Sequence, residues 1–177
     1  ILDQVKEVPS EQRLNVFAMS TSKYEQETWG TFGSGTATHQ AIERSGGINV
    51  AGELEGYPEI SAEWILEQNP DAVVFADYSK KMVGLAISDS READEFKEKV
   101  LENKVFSKTS AAKKGRIYIV DNQLVGGDKT YLGALYLAKL FYPEQFAGVD
   151  PDKVLQEYFD KWLGLTFKGR WAYPLAE

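Results

Sequence analysis

Residues 60–76 read Ile60-Ser61-Ala62-Glu63-Trp64-Ile65-Leu66-Glu67-Gln68-Asn69-Pro70-Asp71-Ala72-Val73-Val74-Phe75-Ala76. Ser61 is a helix-capping residue, and Ile60 before it pairs with Ile65 beyond it in the spacing of a hydrophobic staple. Pro70 closes that helix. Five residues without a polar side chain then follow, Ala72 to Ala76. A short run that is apolar at every position fits a strand covered on both faces, as strands of parallel sheets are. Leu14-Asn15-Val16-Phe17-Ala18-Met19 and Ile117-Tyr118-Ile119-Val120 show nearly the same pattern.

Helical segments lie between and after these strands. Thr36 to Ser45 runs into Gly46-Gly47, a C-terminal stop. Asp89 and Glu92 have capping-box spacing ahead of Ala93, Phe96, Val100 and Leu101 on one helical face. Thr130 to Tyr142 is apolar nearly all round and ends at Pro143, which predicts a helix sandwiched between layers. Asp150-Pro151 starts another, with Gly164 as its stop. Strands alternating with helices predict an α/β fold of three layers, helices on both sides of a mostly parallel, Rossmann-like sheet with right-handed crossovers.

The composition narrows the function. The 177 residues carry 20 Lys plus Arg against 27 Asp plus Glu, a formal charge of −7. That balance disfavours a phosphate backbone as partner, so no nucleic acid is expected. Cysteine is absent and His39 is the sole histidine. Disulfides and thiolate sites are thereby excluded, and any metal site or Ser-His-Asp triad would have to be built on one imidazole. No apolar run approaches the ~18 residues of a membrane span. The opening residues resemble the end of a helix, apolar at 1, 2, 5 and 8 and stopped by Pro9, without an N-terminal cap. This predicts a chain whose upstream part is missing.

In open parallel sheets ligands bind beyond the carboxyl ends of the strands. That rule points to residues 20–35, 77–85 and 121–129. Gly30-Thr31-Phe32-Gly33-Ser34-Gly35 invites a dinucleotide reading, but its spacing is G-x-x-G-x-G and the loop from Met19 is too long for the tight turn required. Acid pairs such as Glu25 with Glu27, or Glu53 with Glu55, read as solvated faces, so catalysis finds little support. Tyr24, Trp29 and Phe32 in the first loop and Tyr78 in the second are more informative. Large loop aromatics cover either a flat apolar ligand or a neighbouring domain. Lys80, Lys81 and Lys129 lie at the same edge and favour an anionic guest. Three readings stand at this point: a binding lobe, a nucleotide-linked enzyme on a doubly wound fold, and a protein-interaction module.

Four segments resemble one family. Gly33 to Ala51, with its glycine loop, helix and Gly46-Gly47-Ile48-Asn49-Val50-Ala51, is similar to the substrate-binding proteins of iron–siderophore, haem and cobalamin ABC importers. Ile60 to Val74 resembles their "s-x-E … P-D" segment. Ala111 to Val120 is similar to their strand entry, and Leu135 to Phe146 to their closing helix. The resemblance implies the carboxyl-terminal lobe of a bilobed binding protein. Residues 1–9 would end the helix that joins the lobes, residues 10–177 would form the lobe, and the amino-terminal lobe would be absent from the chain. It implies no enzyme activity and no cofactor. The solute would be a metal chelate, a ferric siderophore first and haem or a corrinoid second. The location would be extracytoplasmic, with a membrane anchor in the whole protein. Glu63 matches the family's glutamate that docks against permease arginines. Tyr24, Trp29, Phe32, Tyr78 and Lys129 are the expected solute contacts. Many relatives carry Gly-Pro-Arg where Gly126-Gly127-Asp128-Lys129 stands here, so a bidentate arginine clamp is not expected at this position.

Overall fold

The computed structural model describes residues 2–26 and 28–174. Ile1 and Glu27, used above in reading the opening helix and an acid pair, lie outside them. In chain order the first elements are α1 (Leu2–Lys6), β1 (Asn15–Ser20), β2 (Trp29–Gly30), α2 (Ala37–Arg44), β3 (Ile48–Asn49), β4 (Glu59–Ile60) and α3 (Ala62–Gln68). There follow β5 (Ala72–Asp77), α4 (Arg91–Glu102), α5 (Ser110–Lys113), β6 (Ile117–Asp121), α6 (Asn122–Val125), α7 (Thr130–Phe141), α8 (Pro151–Tyr158) and β7 (Ala172–Tyr173).

One sheet runs in the order β3-β1-β5-β6-β7. Its first four strands are parallel and β7 is antiparallel to β6. The side chains of the three long strands alternate between two cores. Val16, Ala18, Ala72, Val74, Ala76, Tyr118 and Val120 face one cluster, where Ala41 and Ile42 of α2, Tyr136 and Leu137 of α7 and Leu155 of α8 join them. Phe17, Met19, Val73, Phe75, Ile117 and Ile119 face the other, with Ile65 of α3, Val100 of α4, Ala111 of α5 and Phe106 from the turn between α4 and α5. This period-two split explains the unbroken apolar runs, because both faces are covered and neither strand face needs polar residues. The expected three-layer α/β/α architecture is what the chain adopts.

Most punctuation is where the sequence puts it. Ser61 accepts the Trp64 amide, Thr36 accepts that of His39, and Asp150 accepts that of Lys153. Asn69 ends α3 in the left-handed conformation. One cap differs. The expected Asp89–Glu92 box is replaced by Ser90 as the residue before α4, with no side-chain cap bond. Asp89 instead accepts the Arg91 amide, and the Ser90 hydroxyl donates to Asp94. The first strand is shifted by one residue, since the Leu14 amide is taken by the Tyr142 hydroxyl. Part of the expected loop 121–129 is the short helix α6.

Candidate functional site

β1, β5 and β6 end together at Ser20, Asp77 and Asp121. Beside these ends stands a two-stranded antiparallel ribbon, β2 against β4, pairing Trp29 with Ile60 and Gly30 with Glu59. A bridge between Met19 and Thr31 fixes the ribbon to β1, and the Thr31 hydroxyl donates to the Ala18 carbonyl at 2.7 Å. Ribbon and strand ends enclose a groove of about 380 Å3 whose walls include Ser20, Lys23, Phe32, Tyr57, Glu59 and Tyr78. Larger concavities lie elsewhere: about 490 Å3 around Arg13, Arg116 and Tyr142, about 530 Å3 around Arg116, Tyr118 and Phe141, and about 660 Å3 around His39, Glu43 and Trp64. The first two sit at the amino ends of the strands and the third flanks the short edge strand β3, so topology selects the smaller groove.

Three rings converge there. Phe32 and Tyr57 meet edge to face with centroids 6.0 Å apart. Tyr78 joins them: burial first and the neighbouring Tyr57 second push its phenol above the usual range. Tyr57 is 74% and Tyr78 46% exposed, whereas Phe32, 6% exposed, belongs to the core behind them and offers the groove only its edge. Tyrosine rings left this open on a concave wall are available to a bulky apolar guest. Tyr57 escaped the sequence reading because it lies between Gly56 and Pro58, outside the loops that follow the long strands.

The other expected contacts are placed differently. Trp29 is only 7% exposed. Its ring packs on Phe106 at 5.3 Å and its indole N–H donates to the Tyr24 carbonyl at 3.1 Å. Tyr24 packs on Phe96, Phe75 and Phe106, and its hydroxyl donates to the Lys99 carbonyl. Both rings thus back the ribbon from the core and do not line the groove. Lys129 keeps 21% of its side chain exposed, pairs with Asp128 at 3.2 Å and lies over the Tyr158 ring. Lys80 turns inward to Asp121. Lys23, which the sequence reading did not single out, is the lysine at the groove wall.

The glycine loop is no phosphate cradle. The amides of Thr31, Gly33, Ser34 and Thr36 donate to Pro58, Gly56, Leu54 and Gly33 carbonyls. A Cβ on Gly33 would overlap the Leu54 carbonyl, so this glycine serves the close approach of two backbones. His39 is structural as well: its Nδ1 lies 3.1 Å from the Asn49 amide nitrogen, which also donates to the Phe32 carbonyl at 2.7 Å. Among the described residues no group of His, Cys, Asp or Glu side chains is arranged to hold a metal ion, and no helix is long and apolar enough to cross a membrane.

Glu63 occupies the first turn of α3 and is exposed. Its own backbone amide first, and the Ser61 hydroxyl second, hold its carboxyl below the usual range. It therefore stands ionised on the surface, and among the described residues no cation forms an ion pair with it.

The chain is thus an α/β layer sandwich with an aromatic groove beyond the carboxyl ends of its parallel strands. Residues 2–124 match the model of the periplasmic binding protein family, and the chain belongs to that family, whose members bind solutes and are not enzymes. It is 28% identical over 169 residues to the molybdate-binding protein MolA of Haemophilus influenzae, covering 95% of this chain and 44% of MolA. The TroA-like periplasmic binding protein FepB from Veillonella parvula superposes with a TM-score of 0.82 at 24% identity, covering 99% of this chain and 52% of FepB. A periplasmic heme-binding protein from Pseudomonas aeruginosa gives a TM-score of 0.60 at 27% identity, covering 80% and 48%. The chain thus spans about half the length of the relatives it matches.

Proposed function

We propose that the chain is the carboxyl-terminal lobe of an extracytoplasmic solute receptor serving an ABC importer, with residues 1–9 ending the helix that joins the lobes. The groove of Phe32, Tyr57 and Tyr78 is then half of the solute site, and an amino-terminal lobe supplies the other half. The convergence of these three rings at the carboxyl ends of parallel strands carries this reading. It favours a guest with broad apolar faces, such as a metal chelate; the order within chelates, a ferric siderophore before haem or cobalamin, rests on the family resemblance and not on the rings. A bare oxyanion such as the molybdate in MolA's name needs a close shell of N–H donors or cations around it. Here the walls are aromatic, Lys23 is the one cation among them and Glu59 opposes it.

Tyr24 and Trp29 hold the ribbon that presents Phe32; Lys129, paired with Asp128 and packed over Tyr158, would serve only a guest that extends past the groove. Glu63 is the permease contact. An ionised, unpaired carboxylate at a helix start offers arginine a charge-assisted, bidentate partner. In the closed receptor each lobe would present such a carboxylate to one permease subunit.

The test is a titration of the full-length protein with a ferric trihydroxamate, a ferric catecholate, haem, cobalamin, molybdate and ATP, followed by tryptophan fluorescence. Saturation by a chelate, weakened at least ~5-fold by Tyr78→Ala, is the expected result, since losing an aromatic contact buried by the guest costs upward of about 1 kcal/mol. Saturation by molybdate or ATP alone would overturn the chelate assignment.

A further inference from the structure

The two central strands end level, Asp77 opposite Asp121, and neither residue reaches solvent (0% and 1% exposed). Two buried carboxylates side by side need strong compensation from their surroundings. Each obtains it differently. Asp77 Oδ1 accepts from the Ser79 amide at 2.8 Å, the Ser79 hydroxyl at 2.6 Å and the Thr21 hydroxyl at 3.3 Å. Its Oδ2 accepts from the Met82 and Val83 amides at 3.1 and 3.2 Å. These donors are neutral, and all but Thr21 belong to the segment that leaves β5. Asp121 has one neutral donor, the Gln123 amide at 2.8 Å, and one cation. Lys80 Nζ lies 3.0 and 3.1 Å from its two oxygens. The other charged group acting on Asp121 is Asp77.

Asp77 therefore folds residues 78–85 back onto their own strand, while Lys80 ties them to the neighbouring one. The backbone bends to make that tie. Lys80 adopts φ 59°, in the left-handed region that side chains rarely enter. Gly84 (φ 130°) passes so close that a Cβ there would come within 2.8 Å of Asp121 Oδ2. Its amide donates to the Arg170 carbonyl, the segment's other anchor outside β5. The first residue of this segment is Tyr78, whose ring stands in the groove wall.

We propose that Lys80 and Asp121 form the positioning pair of the solute groove: their contact sets the path of residues 78–85 and through it the stance of Tyr78, while neither lines the groove. This rests on reading the groove as a solute half-site. Losing the pair leaves the sheet intact and frees the groove wall.

Two measurements on the full-length protein test it. The first is hydrogen exchange at the Met82, Val83 and Gly84 amides, which needs no solute. Lys80→Met should speed exchange there ~10-fold or more with α7 unchanged, and Lys80→Arg, which keeps a cation in reach, should restore protection. Asp121→Asn is the second variant and should loosen the same amides. Unaltered exchange in both Lys80→Met and Asp121→Asn would overturn the proposal whatever the groove binds. The second is a double-mutant cycle on affinity for ferric trihydroxamate and for haem. Lys80→Met should weaken the bound probe in the parent protein and add little in a Tyr78→Ala background, because Lys80 acts through that ring. If Tyr78→Ala weakens binding and Lys80→Met does not, the pair has no positioning role. If Tyr78→Ala leaves both probes bound as before, the groove reading itself fails, and exchange alone then decides the pair.

Discussion

Gly133 on α7 lies directly against the carbonyl of Leu124 on α6. A Cβ on Gly133 would overlap the carbonyl oxygen and stand 2.7 Å from its carbon. In an open helix, replacing glycine by alanine gains ~0.5–1 kcal/mol. Here backbone is the obstacle, and backbone cannot rotate away as a side chain can. Overpacking costs about 1–3 kcal/mol and occasionally more, so the clash wins. Gly133→Ala should lower the denaturation midpoint with an unchanged m value; a rise in midpoint would show that the helices can part at no cost.

Tyr142 joins the ends of three elements, α7, β1 and α2, through one oxygen. Its hydroxyl accepts the Leu14 amide at 3.2 Å and donates to the Gly46 carbonyl at 2.8 Å. Tyr142→Phe leaves both buried groups without a partner, which costs about 1–3 kcal/mol. Urea unfolding should show a loss within that range, and a neutral result would mean that water enters to replace the phenol.

Ser61→Ala should weaken the protein by about 1 kcal/mol, the usual cost of a lost cap. The Glu63 carboxyl should also move up toward its ordinary value, because the Ser61 hydroxyl helps hold it down. It should stop short of that value, since its own amide, the larger cause, remains. Carbon-detected NMR titration reads both halves of this expectation.

Asp121 and Asp94 have opposite pH signatures. Burial first raises the Asp121 carboxyl above its usual 3.8, and Asp77 adds to this against the pull of the Gln123 amide and Lys80. A raised carboxyl contributes stability at pH below the unfolded value and loses it as pH rises through the folded value. Asp121→Asn should therefore flatten the decline in stability above pH 3.8. Asp94 is lowered, first by the Tyr173 hydroxyl and then by that of Ser90. Its contribution is present above the ordinary carboxylate value and disappears as pH falls through its folded value. Tyr173→Phe should narrow that acid limb, as read by thermal melts from pH 2 to 7.

Glu63→Arg in the full-length protein should abolish uptake while solute affinity stays within about twofold, since Glu63 is not among the groove-lining residues. Uptake at the parent rate would remove Glu63 from the docking surface.

The three long strands were legible because each lies under helices on both sides and so needs no polar alternation. The helix starts at Ser61 and Asp150 were legible because capping is a local bond between a side chain and an amide three residues on; Thr36, read as the first residue of its helix, is in fact its cap. The two-residue strands β3 and β7 were not: no periodicity fits into two residues, and the register of each is set by distant chain. Residues 20–30 carry the same lesson for the site. Tyr24 and Trp29 are at the expected edge, but the hydroxyl of Tyr24 reaches Lys99 and both rings rest on Phe106, partners more than seventy residues away. Nothing within the loop's own sequence distinguishes a ring that faces the groove from one that faces inward. Tyr57 is the converse, a groove ring brought there only by the pairing of β2 with β4.

Strand β7 has a consequence outside solute recognition. Its two residues, opposite Ile119 and Val120, cover the outer edge of β6. A bare sheet edge is a template on which a second molecule can add its own strand. A proteolytic cut between 164 and 171, or an expression boundary ahead of Arg170, would peel that cover away. Solubility rather than the fold would suffer: molecules would stack side by side through their exposed β6 backbones, with the groove at the carboxyl ends of the strands still formed.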